Sequence, residues 1–377
     1  DPWLSPRVRR ELELADPERR VGLAAHDLAV ALGASEVLIT RATRDARSAT
    51  IASRFLLRLE AMTGGLEKDI CLPALATNID ANIGVPEPAH RPAPAPPVAE
   101  RPRRISVTDV DRLKADPYAF YARSMLGLSP LDPVDAEPGP AWRGSAVHAV
   151  LDSWMREDKL HPDQLVPRIH ALLNEPGVHP IVRTLWGPRL IEPCQWVADR
   201  IAIQRSEDHR VPILSEVRGK ANIASIDLTG IADRIDRLDD GTLAIVDYKT
   251  GSAPGGKVVA AGYSMQLGLL AAIAERGGFE LDSPPIAVAS GGKVTAFEYW
   301  SLAKNGDGFG KMTSPVGGTG QTPKADFVAH AVAIFTTAAE RWLTGSDPFT
   351  AKLHPEYAPY EDYDQLMRRD EWYGRED

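Results

Sequence analysis

Three consecutive segments rich in β-branched residues, ILSEVRGKANI, IDLTGIADRIDRL and TLAIVDYKT, lie between residues 213 and 250 and constrain the fold more than any other feature. Turns separate them, the clearest being Asp239-Asp240-Gly241 ahead of the third, so neighbouring strands can pair antiparallel. Helical apolar spacing precedes them in WRGSAVHAVLDSWM, PDQLVPRIHALLN and RLIEPCQWVADRIAIQR. It resumes after them in VVAAGYSMQLGLLAAIAER, which reads as one long helix, and PIAVASGGKVTAFEYWSL gives further strands. Upstream, Ser106 or Thr108 can cap a helix and Pro117 can begin another. Helix, three strands, helix, strands is the order of an α/β domain.

That domain does not use the whole chain. A proline-rich stretch, VPEPAHRPAPAPPVAERPR, spans residues 85–103 and reads as an extended, semi-rigid linker between a unit at 1–84 and another at 104–377. The length of 377 residues suits two domains. In the first unit a helix is expected from Pro6 to Leu14, and a second in AHDLAVALGA, stopping at Gly33. EVLIT is expected as a buried strand, and IASRFLLRLEAM as an amphipathic helix. Some eighty residues of this kind make a piece of an α/β layer, too little for a complete doubly wound domain.

The formal net charge of -9 argues against a nucleic-acid partner only on average, because phosphate binding needs no more than a local basic face. Arg101, Arg103, Arg104, Arg112, Lys114 and Arg123 form a basic cluster that can track phosphates or simply be a solvated face. Two cysteines, Cys71 and Cys194, exclude a disulfide framework and suggest a reducing compartment. With no apolar run of membrane-spanning length and no leader pattern, a cytoplasmic protein without a membrane partner is expected. A first residue of Asp1 suggests a piece of a longer chain.

The chemistry gathers on the strands. Asp247 and Lys249 in VDYKT share a strand face, where they can be an ion pair or part of a site. Antiparallel pairing of GIADRID with that strand brings Asp233 beside Asp247, while Asp236 lies on the same segment. Two buried carboxylates repel unless a cation such as Mg²⁺ or Mn²⁺ holds them; the alternative partner for Asp233 is Arg237, since Arg234 should face away. Glu216 in SEV is either a further ligand or a solvated edge acid. His148, near the small residues Gly144 and Ala146, is either a ligand or a structural histidine. Gln266 is a polar residue in an apolar helix and needs a partner if buried.

The series Gly144…His148, Glu216, GIADRID, DYKTG and Gln266 in YSMQL resembles the RecB-type branch of the PD-(D/E)XK nucleases in order and spacing over roughly residues 105–300. The resemblance implies a mixed central sheet flanked by helices. It also implies a metal on His148, Asp233 and Asp247, Lys249 positioning or activating the attacking water, and Gln266 in support. The flanks PWLSPRVRRELEL, AHDLAVALGASEVLITRATRD, SRFLLRLEAM and YDQLMRRDEW resemble the C-terminal part of the AddB component of bacterial AddAB helicase–nucleases. The first unit would then end a helicase-like region, with Arg41 in its late arginine motif. The implied partners are single-stranded DNA and an AddA-type helicase–nuclease, and the implied role is in double-strand break repair and recombination. The chain has no GxxxxGK[ST] loop and is no ATPase by that route. Some AddB proteins hold an iron–sulfur cluster on four cysteines; this chain has none after Cys194, so no such cluster is expected. The tail is expected to be held by packing through Phe349, Tyr357, Tyr360, Tyr363 and Trp372 instead. Two other classes compete: a non-cleaving DNA-binding or scaffold module with an inherited fold, and an α/β-hydrolase, against which the absence of GxSxG argues.

Overall fold

The computed structural model describes residues 6–12, 17–45, 48–81, 89–131, 140–175, 178, 180–279, 292–306, 308–358 and 362–374. The chain divides into two compact units, 1–87 and 88–377.

Among its described residues the first unit has the helices α1 (Pro6–Glu11), α2 (Pro17–Ala31), α3 (Arg54–Thr63) and α4 (Cys71–Ala81). Ser53 caps α3 by accepting from the Leu56 N–H, and Gly64 closes it in the left-handed region. The expected strand EVLIT does not form. Residues 37–40 carry no strand pairing, and Val37 and Leu38 are exposed. A strand needs a neighbour, and the unit's described residues offer only an isolated bridge between Arg44 and Ala49. None of these residues is buried.

The second unit is an α/β domain. Its elements are β1 (Arg104–Ser106), α5 (Val107–Ala115), α6 (Pro117–Phe120), α7 (Pro140–Arg156), α8 (Pro162–Leu173), α9 (Pro180–Glu207), β2 (Val211–Ile223), β3 (Ile226–Arg237), β4 (Leu243–Lys249), α10 (Gly256–Ala260), α11 (Gln266–Glu275), β5 (Val294–Asn305), β6 (Gly308–Thr313), α12 (Phe327–Ala338) and α13 (Arg369–Trp372). Ser106 caps α5, and Asp116 caps α6 with Pro117 in its first turn. The three central strands stand where the β-branched segments place them. The expected long helix is broken into α10 and α11, because Gly262 (φ 85°) and Ser264 (φ 55°) turn the chain between them. Residues 285–290 (PIAVAS), also expected as strand, lie outside the described residues.

The mixed sheet of six strands centres on β3, antiparallel to β2 along one edge. The other edge is shared: β1 runs parallel to residues 227–229, and β4 runs antiparallel to residues 234–237. β5 lies parallel to β4 after the α10–α11 crossover, and β6 closes the order. Leu228, Ala232, Ile235 and Ile245 share a buried cluster with α5, α11 and α12. Val246, Tyr248, Trp300 and Leu302 share another with α7, α8 and α9. Each buried large side chain contributes about 1.5–3 kcal/mol, so covering both faces is what holds the sheet. Gly230, where β1 and β4 leave the β3 edge open, lets α5 and α11 approach: a Cβ there would stand 2.7 Å from Leu270 Cδ2 and 3.1 Å from both Val107 methyls. Gly230→Ala is expected to lower the stability by about 1–3 kcal/mol, read as an earlier urea midpoint at unchanged slope.

The proline-rich stretch is extended but fastened, not a free linker over its whole length. The N–H groups of Phe349 and Ala351 donate to Pro94 (2.8 Å) and Pro92 (2.9 Å). Arg91 donates to the carbonyls of Ala351 and Lys352. The tail is held by packing, as expected, and also by charge. Phe349, Tyr363 and Trp372 are buried, and Tyr357 stacks on Tyr263; Tyr360 lies outside the described residues. Lys352 is buried, with Nζ 2.7 Å from Asp364 Oδ1 and 3.4 Å from Asp116 Oδ2. Among the described residues no helix is long and apolar enough to cross a membrane.

Candidate active site

β4 emerges from the core at its last residue. Asp247 and Lys249 share one face and Tyr248 takes the other, as strand alternation dictates. Asp247 is buried, and Lys249 Nζ lies 2.7 Å from its Oδ2. Lys249 Nζ also donates to Gln266 Oε1 at 3.3 Å. The broken helix explains that contact: Gln266 is the first residue of α11, delivered to the strand end by the turn at Gly262–Ser264.

β3 lies beside it. The β3–β4 register pairs Arg234 with Val246, so Asp233 and Asp247 are opposed one step further along. Asp233 Oδ2 accepts the Tyr248 N–H at 2.7 Å, which fixes the carboxylate across the ladder. Arg234 does face away. It donates to the Tyr248 hydroxyl at 2.7 Å and lies 4.1 Å from the Trp300 ring centroid. Asp236 goes with it, bound by Arg234 and by Arg210 at 2.6 Å. Asp233 therefore meets Tyr248 and His148, not Arg237.

On β2, Ser215 pairs with Arg234 and Val217 with Ala232, leaving Glu216 opposite Asp233 in the gap. Glu216 has φ 45°, a left-handed conformation that costs a non-glycine residue on the order of 1 kcal/mol or more. The kink shows in the packing. Leu214 and Val217, an odd number of residues apart, enter the same core cluster, as do Ala232 and Ile235. Alternation slips once on each strand, and the slip turns Glu216 toward α7.

From α7, His148 Nδ1 stands 2.6 Å from Glu216 Oε1 and 3.7 Å from Asp233 Oδ1, with Nε2 3.3 Å from the Tyr248 carbonyl oxygen. His148, Glu216 and Asp233 each offer a ligand atom, all within 4.8 Å of one another. Glu216 is thus no solvated edge acid, and His148 is no isolated core histidine. Gly144 gives no sign of tight helix approach: a Cβ there would meet only Thr250 Oγ1, at an ordinary 3.7 Å.

The electrostatics are those of acids crowded out of water. Burial pushes the Asp233 carboxyl up to about 7, with Asp247 adding to the rise and His148 opposing it. Burial also raises Asp247, against the pull of Lys249. Burial alone would lower the His148 imidazole, but the Glu216 hydrogen bond and the surrounding carboxylates lift it to about 9. An imidazole nitrogen and several carboxylate oxygens, mutually repelling and partly buried, are a donor set that fits a divalent cation.

His148, Glu216, Asp233, Asp247, Lys249 and Gln266 lie around the adjoining β2, β3 and β4 segments. The ligand atoms that gather within 4.8 Å are those of His148, Glu216 and Asp233, not of the expected His148, Asp233 and Asp247, because the Asp247 carboxylate is taken up by Lys249. Asp152 was missed. It lies one turn beyond His148 on α7 and lines a pocket of about 460 Å³ with His148 and Glu216. Burial raises its carboxyl, with Glu216 among the charges adding to the rise. The i, i+4 spacing in HAVLD was the available signal.

The basic cluster expected near residues 101–123 is not one surface. Arg101 is buried, donating to the carbonyls of Pro96, Trp342 and Asp347. Arg112 is paired with Asp109, and Lys114 donates to the Gly262 carbonyl. Arg103, Arg104 and Arg123 are exposed.

A sequence profile of the PD-(D/E)XK nuclease superfamily matches residues 104–360. An uncharacterized protein of Rickettsia conorii is 25% identical over 279 residues, covering 71% of this chain and 32% of that one. An uncharacterized protein of Rickettsia typhi is 32% identical over 196 residues, 48% of this chain and 22% of its own length. A component of an ATP-dependent helicase/deoxyribonuclease of Streptococcus agalactiae is 24% identical over 156 residues, 40% of this chain and 14% of that protein. The chain spans about a third or less of the length of these relatives.

Proposed function

The chain belongs to the PD-(D/E)XK nuclease superfamily, and from that premise we propose that it is a divalent-metal-dependent deoxyribonuclease that hydrolyses single-stranded DNA. The observation that carries this reading is the gathering of His148, Glu216 and Asp233 within 4.8 Å, beside the Asp247–Lys249–Gln266 contacts at the end of β4.

His148, Asp233 and Asp247 are the residues we assign to hold the cation, Mg²⁺ or Mn²⁺, with Glu216 beside them as a further ligand. When bound, such an ion supplies Lewis-acid stabilisation of a nonbridging phosphate oxygen and lowers the pKa of a water bound to it. The chain's own residues do the positioning. Asp247 and Gln266 fix the Lys249 ammonium from two sides, so its protons aim at the attacking water or at the charge growing on the phosphate. The Tyr248 N–H orients Asp233, and the Tyr248 carbonyl orients the His148 ring.

The similarity to a component of a helicase/deoxyribonuclease supports a wider setting. We place the chain as the C-terminal part of an AddB-like protein, fed a single strand by a helicase partner of the AddA type, in cytoplasmic double-strand break repair and recombination. Residues 1–84 would then close the helicase-like region. An end-labelled single strand is expected to be cut in Mg²⁺ and left intact in EDTA. Binding without cutting in Mg²⁺ would instead fit a non-cleaving DNA-binding module and would overturn the proposal.

A further inference from the structure

The β2–β3 hairpin extends the site in one direction. A groove of about 750 Å³ is lined by Glu216, Asp233 and Gln266 together with three cations, Arg104, Arg218 and Lys220. Their order follows from the register. Glu216 opposes Asp233; two residues on, Arg218 pairs with Ile231; two further, Lys220 pairs with Thr229, beside which β1 brings Arg104 opposite Asp227. Two residues of strand advance about 6.7 Å, close to the spacing of successive phosphates in an extended nucleic-acid strand.

The cations face outward. Arg218 and Lys220 are exposed, while Val217, Gly219 and Ala221 between them are buried. The hairpin is also firmly seated: a Cβ at Gly219 would fall 2.5 Å from the Phe279 ring, and the Lys220 N–H donates to the Gly278 carbonyl at 2.9 Å. Arg218 has no ion-pair partner among the described residues, and Lys220 lies 3.5 Å from Asp227. An unneutralised guanidinium on a rigid strand, next to an acidic centre, is placed to hold a ligand's negative charge.

We propose that Arg218, Lys220 and Arg104 form a lane for the phosphates of a single DNA strand, leading two phosphate steps away from the one entering the site. Arg218 and Lys220 stand in file on β2, and Arg104 lies diagonally beyond Lys220 on β1, across β3, so the row follows one backbone that turns toward β1 at its far end. A duplex would need a second file beside the β2 row, and the β3 positions opposite Arg218 and Lys220 hold the exposed Ile231 and the uncharged Thr229. The lane deepens the nuclease reading and rests on it for what happens at the phosphate that reaches His148 and Lys249.

The test is binding without cleavage, by fluorescence anisotropy of the whole chain in EDTA with a labelled oligothymidylate of about 20 nucleotides across a salt series. Arg218→Gln with Lys220→Gln is expected to weaken binding at least roughly tenfold at low salt. The double variant is also expected to flatten the log K against log[salt] slope by about 1.4, at 0.7 per phosphate contact. The charge-matched control Arg200→Gln with Arg205→Gln, on exposed positions of α9, is expected to change both little. Wild-type affinity and slope in the double variant would overturn the lane. So would an equal loss for a blunt duplex, which would show that the cations do not select one strand. If the chain fails to cut in Mg²⁺ but the binding results hold, the nuclease reading falls and the lane stands.

Discussion

Asp247→Asn is expected to lower Mg²⁺-dependent cleavage of single-stranded DNA by at least about a thousand-fold while leaving the fold as stable as before or more so. The two effects have one cause. Asp247 is a buried carboxylate opposed to Asp233, and both are raised by burial in the absence of a cation. Removing one charge relieves their repulsion and takes away a cation ligand. If the Asp247–Lys249 contact were only an ion pair bracing the strand, the pattern would reverse: cutting would persist and stability would fall. Cleavage rate and urea midpoint, measured on the same preparation, separate the two.

Lys352→Ala is expected to cost about 3–5 kcal/mol of stability, the typical penalty for stripping one partner from a buried ion cluster. Lys352 Nζ lies between Asp364 and Asp116 and also donates to the Ala358 carbonyl at 3.3 Å, all at buried positions. Asp116 caps α6 as well, and its Oδ1 accepts the Lys352 N–H at 3.0 Å. The cluster thus ties the C-terminal segment to the start of the domain. Without the ammonium, Asp364 would keep only Arg369, 3.5 Å from its Oδ2, and Asp116 only the backbone N–H groups of residues 119 and 352. Equilibrium urea unfolding reads the effect; a loss under about 1 kcal/mol, the value of an exposed pair, would show that the cluster does not hold the tail.

Much of the site was legible because strand arithmetic is simple. The spacing in VDYKT sets Asp247 and Lys249 on one face, and the Asp-Asp-Gly turn sets the register that opposes Asp233 to Asp247. What stayed hidden depends on backbone conformation that side-chain type does not encode. The break before Gln266 needs Ser264 at positive φ, and apolar periodicity runs straight across it. The charges of EVRGK are visible as an alternating row, but whether that row continues the site depends on the kink at Glu216. EVLIT shows the limit of reading apolar runs: the composition of a buried strand does not supply the neighbour it must pair with. The proline-rich stretch shows another. Prolines impose extension, but their carbonyls still accept hydrogen bonds, and Phe349 and Ala351 use two of them.

Whether separate segments converge on one divalent cation is tested most directly by a Mn²⁺-soaked crystal. An anomalous peak is expected, coordinated by His148 and Asp233 and by at least one of Asp247 and Glu216, at about 2.0–2.3 Å from the ligand atoms. Full Mn²⁺ occupancy at other positions, with the space between these four side chains empty of anomalous signal, would contradict it.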